Sequence, residues 1–112
     1  MPIAVFTLLL ADLAAANPPA AAPHSSSGIV AVFDPGSNTC EESFRADNVV
    51  QTSGWINGFF TGRNLADKRT VGLSLQEAGL LAAIKAACAS APRQRLFDTT
   101  EREYEKLLAS GG

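Results

Sequence analysis

The sequence predicts an all-α protein: a small domain of three to four helices, with one disulfide clamping an αα-hairpin, preceded by an extended N-terminal arm. Three segments after residue 38 carry apolar side chains at helical spacing. Only one short run elsewhere suits a β-strand, and a single strand cannot found a sheet. At 112 residues the chain is one domain at most, so we divide it into a signal peptide at 1–22, an arm or linker at 23–38 and a helical domain at 39–110.

The N-terminal segment is typical of a secretory leader. An apolar run over residues 2–10 is followed by small residues with several A-x-A cleavage choices between 14 and 22. No Lys or Arg precedes Arg45, and Asp12 interrupts the apolar run. An Ala/Pro-rich arm, or a reading frame that starts upstream, is therefore the alternative. The run is shorter than the roughly 20 residues of a membrane span, so we expect a periplasmic or secreted protein without a stable membrane anchor.

Cys40 and Cys88 stand 48 positions apart, which fits no metal-ligand or C-x-x-C redox pattern. In an exported chain they predict one disulfide. On the chain-entropy account, closing a loop of that length stabilises the fold by about 4 kcal/mol. Two unpaired buried thiols in a cytosolic protein are the alternative.

The arm contains an apolar run over 29–33 that suits a short strand or an extended segment docked on the helices, and a turn signal follows at 34–36. The first helix begins at Thr39, because Glu42 three residues later completes a capping box. Polar residues over 45–51 predict a break after this start.

The stretch "SGWINGFFTGRN" carries glycine at every fourth position. We expect Gly54 and Gly58 to let a neighbouring helix approach closely, as small residues do at helix crossings. Trp55 and Phe59 would fill the space beside that crossing. Gly62 either extends this helix-packing motif or ends the helix.

The segment at 63–73 is polar and has no sustained period, so it predicts a loop with room for one helical turn. Ser74 predicts the N-cap of a second helix through a capping box with Glu77. That helix should stop near Ser90, because Pro92 follows.

The third helix is predicted to start at Ser90, with Pro92 in its first turn, and to end before the two final glycines. It has the cleanest amphipathic pattern in the chain. Its apolar stripe consists of Leu96, Phe97, Thr100, Tyr104, Leu107 and Leu108.

Catalytic and cofactor-binding patterns are absent from the sequence. His24, the only histidine, lies in the polar segment after the leader, and Glu41 and Glu42 already have a place in the first turn of a helix. The glycines lack the Lys-Ser/Thr ending of a phosphate loop, and no metal-ligand spacing occurs. We therefore expect no enzyme, no cofactor and no metal.

The net charge of −2, with cations scattered among acids, gives no footprint for nucleic acid. The only basic cluster is formed by Arg63, Lys68 and Arg69. It is either a solvated loop or a contact with an anion or a partner protein.

The order of three features carries a family resemblance: a Cys opening a helix, "WINGFFTGRN" about fifteen residues on, and a helix ending "AACASAP". Over residues 38–108 the chain resembles the small exported bacterial helical proteins of the HdeA/HdeB type, and Tai-type immunity proteins are similar in outline. The resemblance implies the Cys40–Cys88 disulfide. It also implies that the packing residues of a helical periplasmic domain are Trp55, Gly58, Phe59 and Gly62.

The best-known members of that family are acid-activated chaperones that work without ATP. The resemblance thus implies a periplasmic acid-stress chaperone that exposes apolar surface to unfolded clients. In strong acid the carboxylates lose their charge, and the nine Lys and Arg side chains repel one another. The surface offered to clients would then come from Leu80, Ile84, Phe97, Tyr104 and Leu107.

Two other roles stand beside chaperoning. One is an immunity or inhibitor protein that binds a secreted effector through a folded surface, and the other is a structural protein of the envelope. The expected partners are proteins, either unfolded clients or one effector, and a homodimer is left open.

Overall fold

The computed structural model describes residues 30–112, of which Val32–Gly112 form one compact unit. The helices are α1 (Cys40–Ser43), α2 (Val49–Asp67), α3 (Gln76–Ser90) and α4 (Leu96–Ala109). Within this part of the chain the only β-type pairing is one antiparallel bridge between Thr39 and Arg95. The predicted all-α class and the predicted disulfide are confirmed.

Several N-terminal predictions, namely the leader at 1–22, His24 and the first residue of the apolar run, lie outside the described residues. Residues 30–33 form no strand, so the strand alternative is wrong for that part of the run. The turn predicted at 34–36 is present, and the Gly36 N–H donates to the Phe33 carbonyl at 2.9 Å.

The chain before α1 and the chain before α4 cap each other's helices. The first two N–H groups of α1 donate to the carbonyl oxygens of Gln94 and Pro92, at 2.7 and 2.9 Å. The first two N–H groups of α4 donate to those of Asn38 and Gly36, at 2.8 and 2.9 Å. These donors have no partner inside their own helices, so each segment satisfies the other's helix start.

This reciprocal cap, residues 36–41 with 92–97, corrects the predicted start of the third helix. Ser90 does not cap α4 and Pro92 is not in its first turn; Ser90 instead ends α3, and α4 begins at Leu96. The residues between the two helices offer their carbonyls to α1, which keeps them out of a helix.

The start of α1 follows the prediction closely. The Thr39 hydroxyl accepts from the Glu42 N–H at 3.2 Å, and Glu42 Oε1 accepts from the Thr39 N–H at 3.2 Å, so the capping box is confirmed. The hydrogen bonds from the Thr39 side chain and then its backbone N–H lower the pKa of the Glu42 carboxyl. Their stabilisation is therefore present above the ordinary carboxyl pKa and is lost as pH falls through the lowered one. The predicted break is also present, at 44–48.

The disulfide joins the first residue of α1 to the last turn of α3, with a Cα–Cα distance of 5.1 Å between Cys40 and Cys88. The closed loop contains the whole of α2. A disulfide indicates an oxidising compartment outside the cytoplasm.

A single core lies between the helices. Its fully buried members include Ile56 of α2, Ile84 of α3 and Leu96 and Tyr104 of α4. The rings of Phe60 and Tyr104 approach to 5.2 Å between centroids, which places the aromatic side chains of α2 against α4.

The three glycines of the helix-packing motif lie on the side of α2 that faces away from this core. A Cβ added at Gly54, Gly58 or Gly62 would meet nothing within 4 Å, so the predicted close approach of a neighbouring helix at these glycines is wrong within the described unit. The buried side chains of α2 fix which side faces inward, and the glycines lie opposite. Gly62 does not end the helix either: α2 continues to Asp67, and Lys68 takes the left-handed conformation.

The predicted capping box of the second helix is also wrong. Leu75, not Ser74, is the N-cap residue of α3, and no side chain caps this end. The Gly72 carbonyl accepts from the N–H groups of Leu75 and Gln76 at 3.0 and 3.3 Å, so a backbone turn makes the start.

Gly36 of the reciprocal cap has no room for a side chain. A Cβ there would approach Cε2 of the Trp55 indole to 2.6 Å, and Trp55 is itself held by Phe59 and Phe97. Gly36→Ala should therefore lower the free energy of unfolding by about 1–3 kcal/mol, as overpacking does. Gly58→Ala, in open space on α2, should raise it by about 0.5–1 kcal/mol. Urea unfolding of the oxidised variants measures both, and equal effects would contradict this packing.

Candidate functional site: a cleft between α2 and α3

An open cleft of about 360 Å³ lies between the second half of α2 and the start of α3, above the loop at 68–75 that joins them. Its floor is formed by the buried side chains of Phe60, Val71 and Leu80. A volume near the lower end of the roughly 300–1,000 Å³ range of ligand pockets suits one large apolar group. We call this feature the α2–α3 cleft.

Asn64 holds the loop under the cleft in place. Its Nδ2 donates to the Val71 carbonyl at 3.0 Å, and its Oδ1 accepts from the Val71 N–H at 3.1 Å. The Tyr104 hydroxyl donates to the same Oδ1 at 2.8 Å. One amide thus joins the end of α2, the loop and α4, and it turns Val71 into the floor.

Gly72 is required for the shape of the cleft. Its φ of +87° belongs to the region that favours glycine, and a Cβ there would lie 2.9 Å from Leu80 Cδ2. The Gly72 N–H also donates to the Gly112 carbonyl at 2.8 Å. The loop is therefore attached to the segment that follows α4.

Gln76 at the edge of the cleft has an unusual backbone conformation. Its φ is +60°, which is uncommon for a residue with a side chain. Such conformations persist where surrounding structure enforces them, and they concentrate at functional sites. Here the turn from Gly72 enforces it, and the Gln76 side chain lines the cleft.

Unlike Asn64, four other polar side chains of the cleft are free to bond to a ligand. Within residues 30–112 the side chains of Asn57, Thr61, Thr70 and Gln76 make no hydrogen bond. Amides and hydroxyls without intramolecular partners are ready to bind a ligand that brings its own donors and acceptors.

The three side chains of the predicted basic cluster have different surroundings in the structure. Arg63 contacts Glu105 at 2.9 Å, lies within 4.0 Å of Glu101, and stacks over the Tyr104 ring at 4.4 Å. No carboxylate of residues 30–112 lies within 4 Å of the charged groups of Lys68 or Arg69. Arg63 is thus engaged within the fold, whereas Lys68 and Arg69 are available at the surface.

Lys68 and Arg69 stand beside the apolar cleft. Arg69 lines it directly, and both line an adjoining depression with Leu65. Leu65 is 75% exposed. Leu73, which lines the cleft, is 70% exposed. The cleft is consequently surrounded by apolar and positively charged groups, with Glu77 as the one carboxylate among its lining residues.

The residues predicted as a client surface are distributed differently. Leu80, Ile84 and Tyr104 are buried in the native core, and Leu107 is half-buried beside it. Phe97 is half-buried against the rings of Trp55 and Phe59. Only Leu80 reaches the cleft. In the native fold these five side chains do not form a common surface.

Sequence reasoning named Leu80 of the cleft floor only as part of a client surface, and it singled out neither Phe60 nor Val71. Val71 and Gly72 lie in a polar segment that the sequence assigned to a loop. No local signal separates Val71 from Leu65 and Leu73 of the same segment, which are also apolar and yet 75% and 70% exposed.

The groups at the cleft are suited to binding. Apolar side chains, amides, hydroxyls and a guanidinium hold a ligand by burial, hydrogen bonds and charge. No three His, Cys, Asp or Glu side chains of residues 30–112 are grouped to hold a metal ion. Over the same range no helix has the length and apolar character of a membrane span.

No protein-family model, no curated protein and no solved structure matches this chain. The resemblance to the HdeA/HdeB type therefore stays a prediction.

Substitutions of two asparagines of α2 test whether the Asn64 hydrogen bonds hold the cleft in shape. Asn64→Ala removes both bonds to Val71 and leaves the buried Tyr104 hydroxyl without its acceptor, so the free energy of unfolding should fall by about 1–3 kcal/mol. Asn57→Ala, which removes no hydrogen bond among residues 30–112, should change it by less than about 0.5 kcal/mol. Thermal unfolding measures both, and a cost for Asn57→Ala as large as for Asn64→Ala would rule out this role of Asn64.

Proposed function

We propose that this chain is a non-enzymatic, exported protein-binding domain that recognises a folded or extended partner protein through the α2–α3 cleft. The observation that carries the proposal is the combination, in one place, of a buried apolar floor with hydrogen-bonding groups that have no partner in residues 30–112. Protein interfaces have this composition, an apolar centre inside a polar rim. An immunity or inhibitor protein that binds one secreted effector is the class that fits best.

The periplasm is the proposed location. The disulfide supports an oxidising compartment, and the leader-like segment at 1–22 supports export. In this setting the disulfide would preserve the walls of the cleft, because α3 provides one wall and carries Cys88.

The proposal predicts that filling the cleft abolishes partner capture. Thr61 is exposed on α2 and lines the cleft, so Thr61→Trp places an indole there without changing the core. Ala82→Trp, on an exposed position of α3 away from the cleft, is the matched control. Each tagged protein is expressed in cells that encode it and recovered at neutral pH with its bound proteins.

We expect the unchanged chain and Ala82→Trp to retain one stoichiometric partner, and Thr61→Trp to lose at least nine-tenths of it. Mass spectrometry of the non-reduced protein should also show leader removal and no reactive thiol. Equal capture by Thr61→Trp would show that the cleft is not the binding surface.

A second function, an acid-activated chaperone, is favoured by one observation. Arg63 of α2 contacts carboxylates of α4 above the aromatic side chains that join the two helices. Strong acid protonates these carboxylates and removes the attraction, while the positive charges remain. Each exposed ion pair contributes only about 0–1 kcal/mol, so this contact is one contributor among several to acid opening. The disulfide would keep the opened chain from expanding fully.

The chaperone function predicts pH-dependent protection of an aggregating client. The oxidised protein should suppress aggregation of an acid-denatured client at about pH 2–3 and not at pH 7. Arg63→Gln should move the onset of protection to higher pH, because the α2–α4 contact is already weakened. Arg95→Gln, which removes contacts with Asp98 and the Phe97 ring that lie within α4 itself, should leave the onset in place. Light scattering measures protection, and none at either pH would exclude this function.

A further inference from the structure

We propose that the α2–α3 cleft binds a peptide segment in which one aliphatic or aromatic side chain lies beside an acidic residue. This inference rests on the proposed function and identifies the chemistry of the partner. The floor of Phe60, Val71 and Leu80 receives the apolar side chain, and Lys68 and Arg69 receive the carboxylate.

The shape of the site supports an extended peptide. The cleft of about 360 Å³ adjoins a second depression of about 400 Å³, and the two share Thr61, Asn64 and Arg69. A ligand that spans both would leave its anchoring side chain in the first and continue over the second. Leu73 and Leu65 give further apolar contact, one at each depression.

The hydrogen-bonding groups suit a peptide backbone. Asn57 and Gln76 carry amides that both donate and accept, and neither amide bonds to residues 30–112. A peptide presents N–H and C=O groups at regular intervals, and burying them requires such partners.

Charge complementarity indicates that the bound peptide carries an acidic residue beside its apolar side chain. Arg63 is neutralised by Glu105 and its neighbours, so the positive charge that faces a ligand belongs to Lys68 and Arg69. Glu77 lines the same cleft from α3, whereas Lys68 lines only the second depression. The carboxylate of the ligand should therefore lie toward the end of α2, and this asymmetry orients the peptide.

The site is also shaped before a ligand arrives. Asn64 fixes Val71 through two hydrogen bonds, and Gly72 is packed against Leu80 and Phe60. A floor that is already ordered reduces the entropy lost on binding. A short segment is therefore sufficient for measurable affinity.

Selection from a random peptide library displayed on phage tests the inference. The library is applied to the immobilised, oxidised full chain, and peptides that also bind Thr61→Trp are removed. We expect the enriched peptides to share an aliphatic or aromatic residue within three positions of Asp or Glu. Synthetic copies labelled with fluorescein then give dissociation constants by anisotropy.

Charge-reversal variants test the inference quantitatively. Arg69→Glu should weaken the best acidic peptide about fivefold or more, and added salt should weaken binding to the unchanged chain. Arg93→Glu reverses an exposed charge that does not line the cleft, and it should change the affinity less than twofold. Circular dichroism checks that each variant keeps its helices.

The inference is overturned if the selection enriches nothing, if enriched peptides lack acidic residues, or if Arg69→Glu and Arg93→Glu have equal effects. These outcomes are separate from failure of the proposed function. A natural partner that Thr61→Trp fails to capture, together with no acidic peptide, would leave the cleft as the binding surface and refute only the chemistry inferred here.

Discussion

The reciprocal cap between the chain before α1 and the chain before α4 is the contact on which the rest of the fold depends. Four backbone hydrogen bonds, two of which form the Thr39–Arg95 bridge, fix where both helices begin. The start of α4 sets the positions of Leu96 and Tyr104, which are fully buried in the core. Tyr104 in turn contacts Asn64, so the geometry of the cleft follows from a contact at the other end of α4.

The parts of the fold that could be predicted are those encoded by neighbouring residues. Thr39 and Glu42 lie within one helical turn, and the period of α4 runs through residues that follow each other closely. The beginning of α4 could not be read in this way, because the carbonyls that accept its first N–H groups come from Asn38 and Gly36. Hydrogen bonds between segments far apart in sequence leave no local pattern.

The glycine motif and the cleft show the same limit. The glycine spacing of α2 indicated a helix crossing, but which side of α2 is buried depends on where α3 and α4 pack. The sequence showed the three cations of the basic cluster. That Arg63 forms an ion pair depends on Glu105, which lies on another helix. Asn64 gave no signal, since one polar residue among several looks like solvent-exposed loop until Val71 is found beside it.

The disulfide has a topological consequence for the cleft. The loop at 68–75 lies inside the ring that Cys40 and Cys88 close, so a protease that cuts this loop once produces two fragments that stay covalently joined. The two walls of the cleft would then belong to different fragments, α2 to one and α3 to the other. A single cut can therefore separate the two walls of the cleft while the molecule remains one covalent unit.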